Sequence, residues 1–236
     1  MFKSKKKEKE NLETVQYFYR LLSSRIANKD ILEYIMEQLK YGADNNTIAM
    51  HNENEIIIRE KNFNESFHLI VKDASIETEE VKWQGRSTVT KKIEFDNDII
   101  TVTSTEHNRI VTGDVYSTFE RVTTIETYKD NELCHKRVVE SSTSANGTAN
   151  YATDTETYIK ADKSAVQRHI SVCEDEDDVH STHIVYRKTN SYDAPPFDTS
   201  KQTHTVYMYG MSNTTKEEYD AFIAEYDKSY TYKKAQ

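Results

Sequence analysis

The sequence predicts an α+β, mainly β protein: an antiparallel β-meander of about nine to eleven strands, as a curled sheet or a barrel, with helical segments at the N-terminus and a helix at the C-terminus. Three observations predict it. Apolar residues recur at helical spacing only near the two ends of the chain. Between Glu55 and Met211 the chain is a succession of strand-length runs broken by short turn signals. No segment among those runs is long enough for a parallel crossover, which takes a dozen or more residues.

The first element places Leu12, Val15, Phe18, Tyr19, Leu22 and Ile26 on one stripe of an amphipathic helix. Asn28 to Asp30 interrupt it, and Ile31, Leu32, Ile35, Met36 and Leu39 resume the period up to Gly42, read as a helix stop. Two short helices or one kinked helix are expected over 11–42. Ahead of them, residues 1–10 carry Lys3, Lys5, Lys6, Lys7 and Lys9 interleaved with Glu8 and Glu10, a pattern expected to be a solvated, disordered tail.

Strands are expected across 54–211. The first runs are Ile56 to Ile58, Phe67 to Val71 and Ser87 to Phe95, and Asp96-Asn97 then leads into Ile99, Ile100 and Val102. The next return falls at either His107 to Arg109 or Thr112 to Asp114. Val115 to Tyr128 and Leu133 to Thr143 flank Asp130-Asn131, and Asn146-Gly147 supplies two positions that tolerate the positive φ of a type I′ turn. Tyr151 to Ile159, Val166 to Cys173, Val179 to Lys188 and Thr203 to Met211 complete the strands. Thr215 and Glu218 stand at capping-box spacing before Tyr219, Phe222, Ile223 and Tyr226, which predicts a helix over 215–229. No linker divides 11–236, so a single domain is expected.

Composition narrows the function classes. Leu, Ile, Val and Phe make up about a fifth of the chain, a thin supply for a core. The 16 Tyr, 8 Phe and abundant Thr suit a pleated, half-buried surface instead. A net charge of −9 argues against nucleic acid as a partner, because such binders neutralise phosphates with Lys and Arg. No apolar run reaches the roughly 20 residues of a membrane span. No secretory h-region follows the N-terminus, so a cytoplasmic protein with no membrane contact is expected. Cys134 and Cys173 are too few and too far apart for a disulfide framework or a Cys-x-x-Cys motif. Abundant Lys, Asn, Ile and Tyr with 5 Gly and 2 Pro point to an AT-rich genome, such as that of a low-GC bacterium or its phage.

The hairpin Val166 to Lys188 is the most chemically suggestive stretch, carrying His169, Cys173, His180 and His183 around the acidic run Glu174 to Asp178. A turn centred on Glu176 would set His169 opposite His183, with Ser171, Cys173 and Ser181 on the same face. A one-residue shift would instead set Cys173 opposite His180. His169, His183 and Cys173 are therefore the candidate metal ligands, although a metal site needs three or four convergent donors. Tyr207, Tyr209, Thr203 and Thr205 share one face of the last predicted strand and are the candidate ligand- or partner-binding residues, since tyrosine gives contact area and a hydroxyl together. Nucleophile elbows and glycine-rich phosphate loops are missing from the sequence, and 40 Asp and Glu residues make any carboxylate pair uninformative.

These features predict a non-catalytic binding or interaction protein without a cofactor. A closed barrel would favour a small amphiphilic ligand in its lumen, and an open sheet a protein partner or self-association through an edge. Two alternatives stand beside it: a metal-dependent enzyme using His169, Cys173 and His183, and a structural subunit of a virion or other assembly.

Overall fold

The computed structural model describes residues 2–26, 29–45, 47–60, 65–82, 86–96, 99–112, 116–130, 132–144, 150–174, 180–192 and 211–231. The predicted strand Thr203 to Met211 lies outside them, apart from Met211. Among the described residues the chain forms helices α1 (Phe2–Ser23), α2 (Lys29–Asp44) and α3 (Lys216–Thr231) and strands β1 (Ile48–His51), β2 (Glu55–Glu60), β3 (Glu65–Val71), β4 (Ser75–Lys82), β5 (Ser87–Asp96), β6 (Ile99–Thr112), β7 (Tyr116–Lys129), β8 (Glu132–Ser144), β9 (Asn150–Ile159), β10 (Ala165–Glu174), β11 (His180–Thr189) and β12 (Ser212–Asn213). The strands form one 12-stranded sheet in plain chain order, β1 to β12. That is the antiparallel meander predicted from the short turns. The order is linear: β1 and β12 each have one strand neighbour among the described residues.

The chain divides into two compact units between Lys92 and Ile93. The boundary falls inside β5, where no composition shift or linker marks it, so the sequence reads as one domain.

In the first unit, α1 begins at Phe2 and not after a disordered tail. Lys and Glu are good helix formers, and Lys6 to Glu10 and Lys9 to Glu13 are ion pairs one turn apart. The core is made by Val15, Phe18, Leu22 and Ile26 of α1 and its end, Ile31, Ile35 and Leu39 of α2, and one sheet face. That face carries Ile56 and Ile58 of β2, Phe67, Leu69 and Val71 of β3, and Ile76 of β4, placed together by the register Ile56 to Leu69, Ile58 to Phe67 and Val71 to Ile76. Gly42 does not stop α2, which continues to Asp44. A Cβ at that position would lie 2.5 Å from Ile58 Cδ1, so the glycine permits close approach of helix and strand.

One charged group enters this core. Tyr34 donates its hydroxyl to Glu80 over 2.9 Å, and Lys82 reaches the same carboxylate at 3.0 Å. Burial and the Glu80 charge push the Tyr34 phenol well above its ordinary range. The opposite sheet face is polar and half-exposed, with His68 2.7 Å from Glu55 and Lys72 2.6 Å from Glu77.

In the second unit, β6 to β11 form long hairpins. The β6 to β7 return follows Thr112, in favour of the second of the two turn positions in the sequence. Asp130 has φ 51°, as the predicted Asp130-Asn131 turn requires. Between β9 and β10, Asp162 accepts hydrogen bonds from the backbone and hydroxyl of Ser164, which hold its carboxyl below the usual range, and Lys163 takes φ 67°. Strand β9 alternates between buried and half-exposed positions, and its buried side is Thr153, Thr155, Thr157 and Ile159. The buried face of β9 is therefore largely threonine, whereas β6, β7 and β8 bury mainly apolar residues such as Val102, Val122 and Val138.

Candidate functional site

The β10 to β11 hairpin decides the positions of the predicted metal ligands. Its register pairs His169 with Val185, Ser171 with His183, Cys173 with Ser181 and Glu174 with His180. The register is thus displaced by two residues of pairing from a direct His169 to His183 contact. Residues opposite one another share a face, so His169, Cys173 and His183 stand on one face of the hairpin, with the two histidines diagonal. His169 Nδ1 is 2.8 Å from the Thr155 hydroxyl on β9. Burial, and then the charge of Arg187, lower the His169 pKa. His183 and Cys173 are exposed. Among the described residues no group of three or more His, Cys, Asp or Glu side chains converges as a metal site. Tyr207, Tyr209, Thr203 and Thr205 lie outside the described residues.

The other cysteine is buried. Cys134 donates its thiol to the Thr127 carbonyl over 3.1 Å, and burial pushes its pKa up, which disfavours the nucleophilic thiolate.

Beside the hairpin, α3 fastens the end of the sheet. Thr215 accepts the Glu218 backbone N–H over 3.2 Å, the predicted N-cap bond. Tyr226 donates to the Cys134 carbonyl over 2.8 Å and packs edge-on against Tyr158, and Tyr219 packs on Tyr186. Lys188 pairs with Glu218 at 2.8 Å, and Lys160 with Glu225 at 3.3 Å. Under this helix Glu156 is a hub: it accepts from Tyr158 over 2.8 Å and Arg168 over 2.9 Å, and His135 Nε2 lies 3.3 Å away. Burial and the Glu156 bond push Tyr158 up to about 12. Arg137 holds Asp154 through two guanidinium nitrogens at 3.0 and 2.9 Å. The network is paired except at Arg168 Nε, a buried nitrogen without a hydrogen-bond partner, and it acts as a structural clamp. It escapes the sequence because its members come from five separate elements, β8 to β11 and α3, and each looks like an ordinary strand or helix residue.

The consequence of the clamp is an edge. Strand β11 has ten residues, but β12 pairs with it only at Arg187 and Lys188. The Thr214 N–H then bonds the Tyr186 carbonyl over 3.0 Å, and the chain turns away into α3. That bond identifies the even-numbered residues of β11 as those whose backbone groups point away from β10, because the two sides alternate along an antiparallel strand. Thr182 and Ile184 therefore direct their N–H and C=O groups outward, and among the described residues no strand pairs with them. Ile184 is 53% exposed, an apolar side chain in the open stretch.

The other end of the sheet contrasts with this one. Strand β1 is four residues long and carries a register shift between Ile48 and Met50, two devices that blunt an edge. In β11 the cationic residues Arg187 and Lys188 lie where β12 already covers the strand. The open residues Ser181 to Val185 contain no Lys, Arg, Asp, Glu, Pro or Gly. Charged, proline and glycine protections are thus missing from this stretch, and among the described residues no strand covers it. No helix among the described residues is long and apolar enough to cross a membrane. No protein-family model, no curated protein and no solved structure matches the chain.

Proposed function

We propose that this is a non-catalytic interaction protein that takes up an extended strand of a protein partner along β11. The observation that carries the reading is the open edge at Thr182 and Ile184, in a strand otherwise rich in β-branched residues. Main-chain hydrogen bonds supply affinity in such strand addition, and side chains on alternate positions supply selectivity. The linear strand order weighs for a protein partner over a small ligand in a lumen, since a lumen needs a closed barrel.

Residue-resolved hydrogen exchange tests the edge. In the isolated monomer the amides of Thr182 and Ile184 should exchange fast, while those of His183 and Val185, which face β10, should exchange slowly. Native mass spectrometry of the chain from its own host tests the partner. A bound protein that is lost in Ile184→Pro supports the reading. A small molecule retained by that variant would replace it with a ligand site elsewhere on the sheet.

A further inference from the structure

We infer that the strand added to β11 is β11 of a second copy, so that two chains join edge to edge about a two-fold axis; this rests on the edge reading above. The ends of the open stretch set the geometry. Pairing cannot run past Val185, because Tyr186 already accepts the Thr214 N–H and β12 covers Arg187 and Lys188. Outward-facing residues must meet outward-facing residues, so even positions oppose even positions. The antiparallel register that uses all of His180 to Ile184 and stops at β12 of each copy places Thr182 opposite Thr182. Ile184 then stands opposite His180. About six backbone hydrogen bonds form, from the outward groups of three residues in each copy.

Two features favour a copy of the same strand over an unrelated one. The open stretch Ser181 to Val185 carries no formal charge at neutral pH, so two copies meet without like-charge cost despite a net −9 on each chain. The strand is also polar along its length: it is entered from the acidic run Glu174 to Asp178 and ends in Arg187 and Lys188. Antiparallel pairing brings the end of β11 that carries Arg187 and Lys188 alongside the His180 end of the other copy, the end that follows the acidic run in the chain; Lys188 also pairs with Glu218 of its own chain, so the added attraction acts at long range.

The test is sedimentation velocity of the full chain from about 1 to 200 µM, a range that brackets weak to moderate dimers. The wild type should pass from monomer to dimer. Thr182→Pro removes an outward N–H without touching the β10 ladder, and should weaken the dimer at least about tenfold with an unchanged melting temperature. In a Cys173→Ser background, Thr182→Cys should form a disulfide between the two copies at position 182 under mild oxidation, since opposed strand residues lie about 5.5 Å apart. A wild type that stays monomeric throughout, or a Thr182→Pro variant that dimerises as well as wild type, would overturn the inference. Hydrogen exchange separates the two failures. Fast exchange at Thr182 and Ile184 in a permanent monomer leaves the edge open for a strand of a different protein and sinks only the second copy. Slow exchange there in a monomer means that the chain covers its own edge, and both readings fall.

Discussion

Tyr34 and Glu80 show how a single hydrogen bond carries a charge into a thin core. Glu80 is buried and holds its carboxylate against Tyr34 and Lys82. Removing the Tyr34 hydroxyl leaves a buried carboxylate with one donor fewer, and Tyr34→Phe should cost about 1 to 3 kcal/mol in urea unfolding. Glu80→Gln in the Tyr34→Phe background should recover part of that loss, because the buried group is then neutral. His169 makes a second residue-level prediction. Its folded pKa lies below the ordinary value, so the unfolded chain binds the proton more readily. Stability should therefore fall as pH drops from about 6.5 through the lowered folded value, then level off. His169→Gln should flatten that slope in melting curves taken between pH 7 and 5. At this scale the sequence is least informative. Nothing in the sequence marks Thr153, Thr155 and Thr157 as core residues, yet they are buried beside Gln167, which is 1% exposed and donates to Thr157 over 3.1 Å. Burial of such residues depends on what covers the strand, and a one-dimensional polarity pattern carries no record of that.

Elements were far more legible, because each is announced by periodicity and by its ends. The α3 boundary follows from Thr215 and Glu218, and the strands from β5 to β11 match the strand-length runs of the sequence, whereas the predicted Asn146-Gly147 turn lies outside the described residues. The errors have physical causes. Strand β1 was hidden because Ile48 to His51 is too short to show a period. The opening of α1 resembles a tail in sequence because charge alternation looks alike in a solvated coil and in a helix held by pairs one turn apart. Gly42 resembles a stop because glycine commonly ends helices, whereas here it makes room for Ile58. That difference is testable. Gly42→Ala gains about 1 kcal/mol of helix propensity, but it forces a methyl group to 2.5 Å from Ile58 Cδ1, and overpacking of this kind costs about 1 to 3 kcal/mol. Ile is β-branched and has few alternative rotamers, so the clash should win, by up to about 2 kcal/mol. Ile58→Ala in the same chain should make Gly42→Ala stabilising, a reversal that a helix-stop role for Gly42 would not produce.

For the whole molecule, a meander in strict chain order is the topology that short turns dictate, which is why the fold class was readable while closure was not. Closure depends on whether the first and last strands meet, and no local signal encodes it. The edge at β11 exists because the chain leaves the sheet after Ser212–Asn213 and spends its next residues on α3. The sheet thus exchanges the pairing of Ser181 to Val185 for a helix clamped by Tyr219 and Tyr226. A purely structural compromise and a binding edge make opposite predictions for Ile184→Lys. Its side chain is exposed, and surface substitutions of that kind usually move stability by no more than about 0.5 kcal/mol, so the melting temperature should hold in either case. A lysine on an open edge is, however, the device that natural sheets use to prevent pairing. If the edge pairs with a second copy, Ile184→Lys should abolish concentration-dependent association while the amides at positions 182 and 184 keep fast exchange. If the exposed strand is only the residue of how α3 docks, the variant should sediment as the wild type does at every concentration.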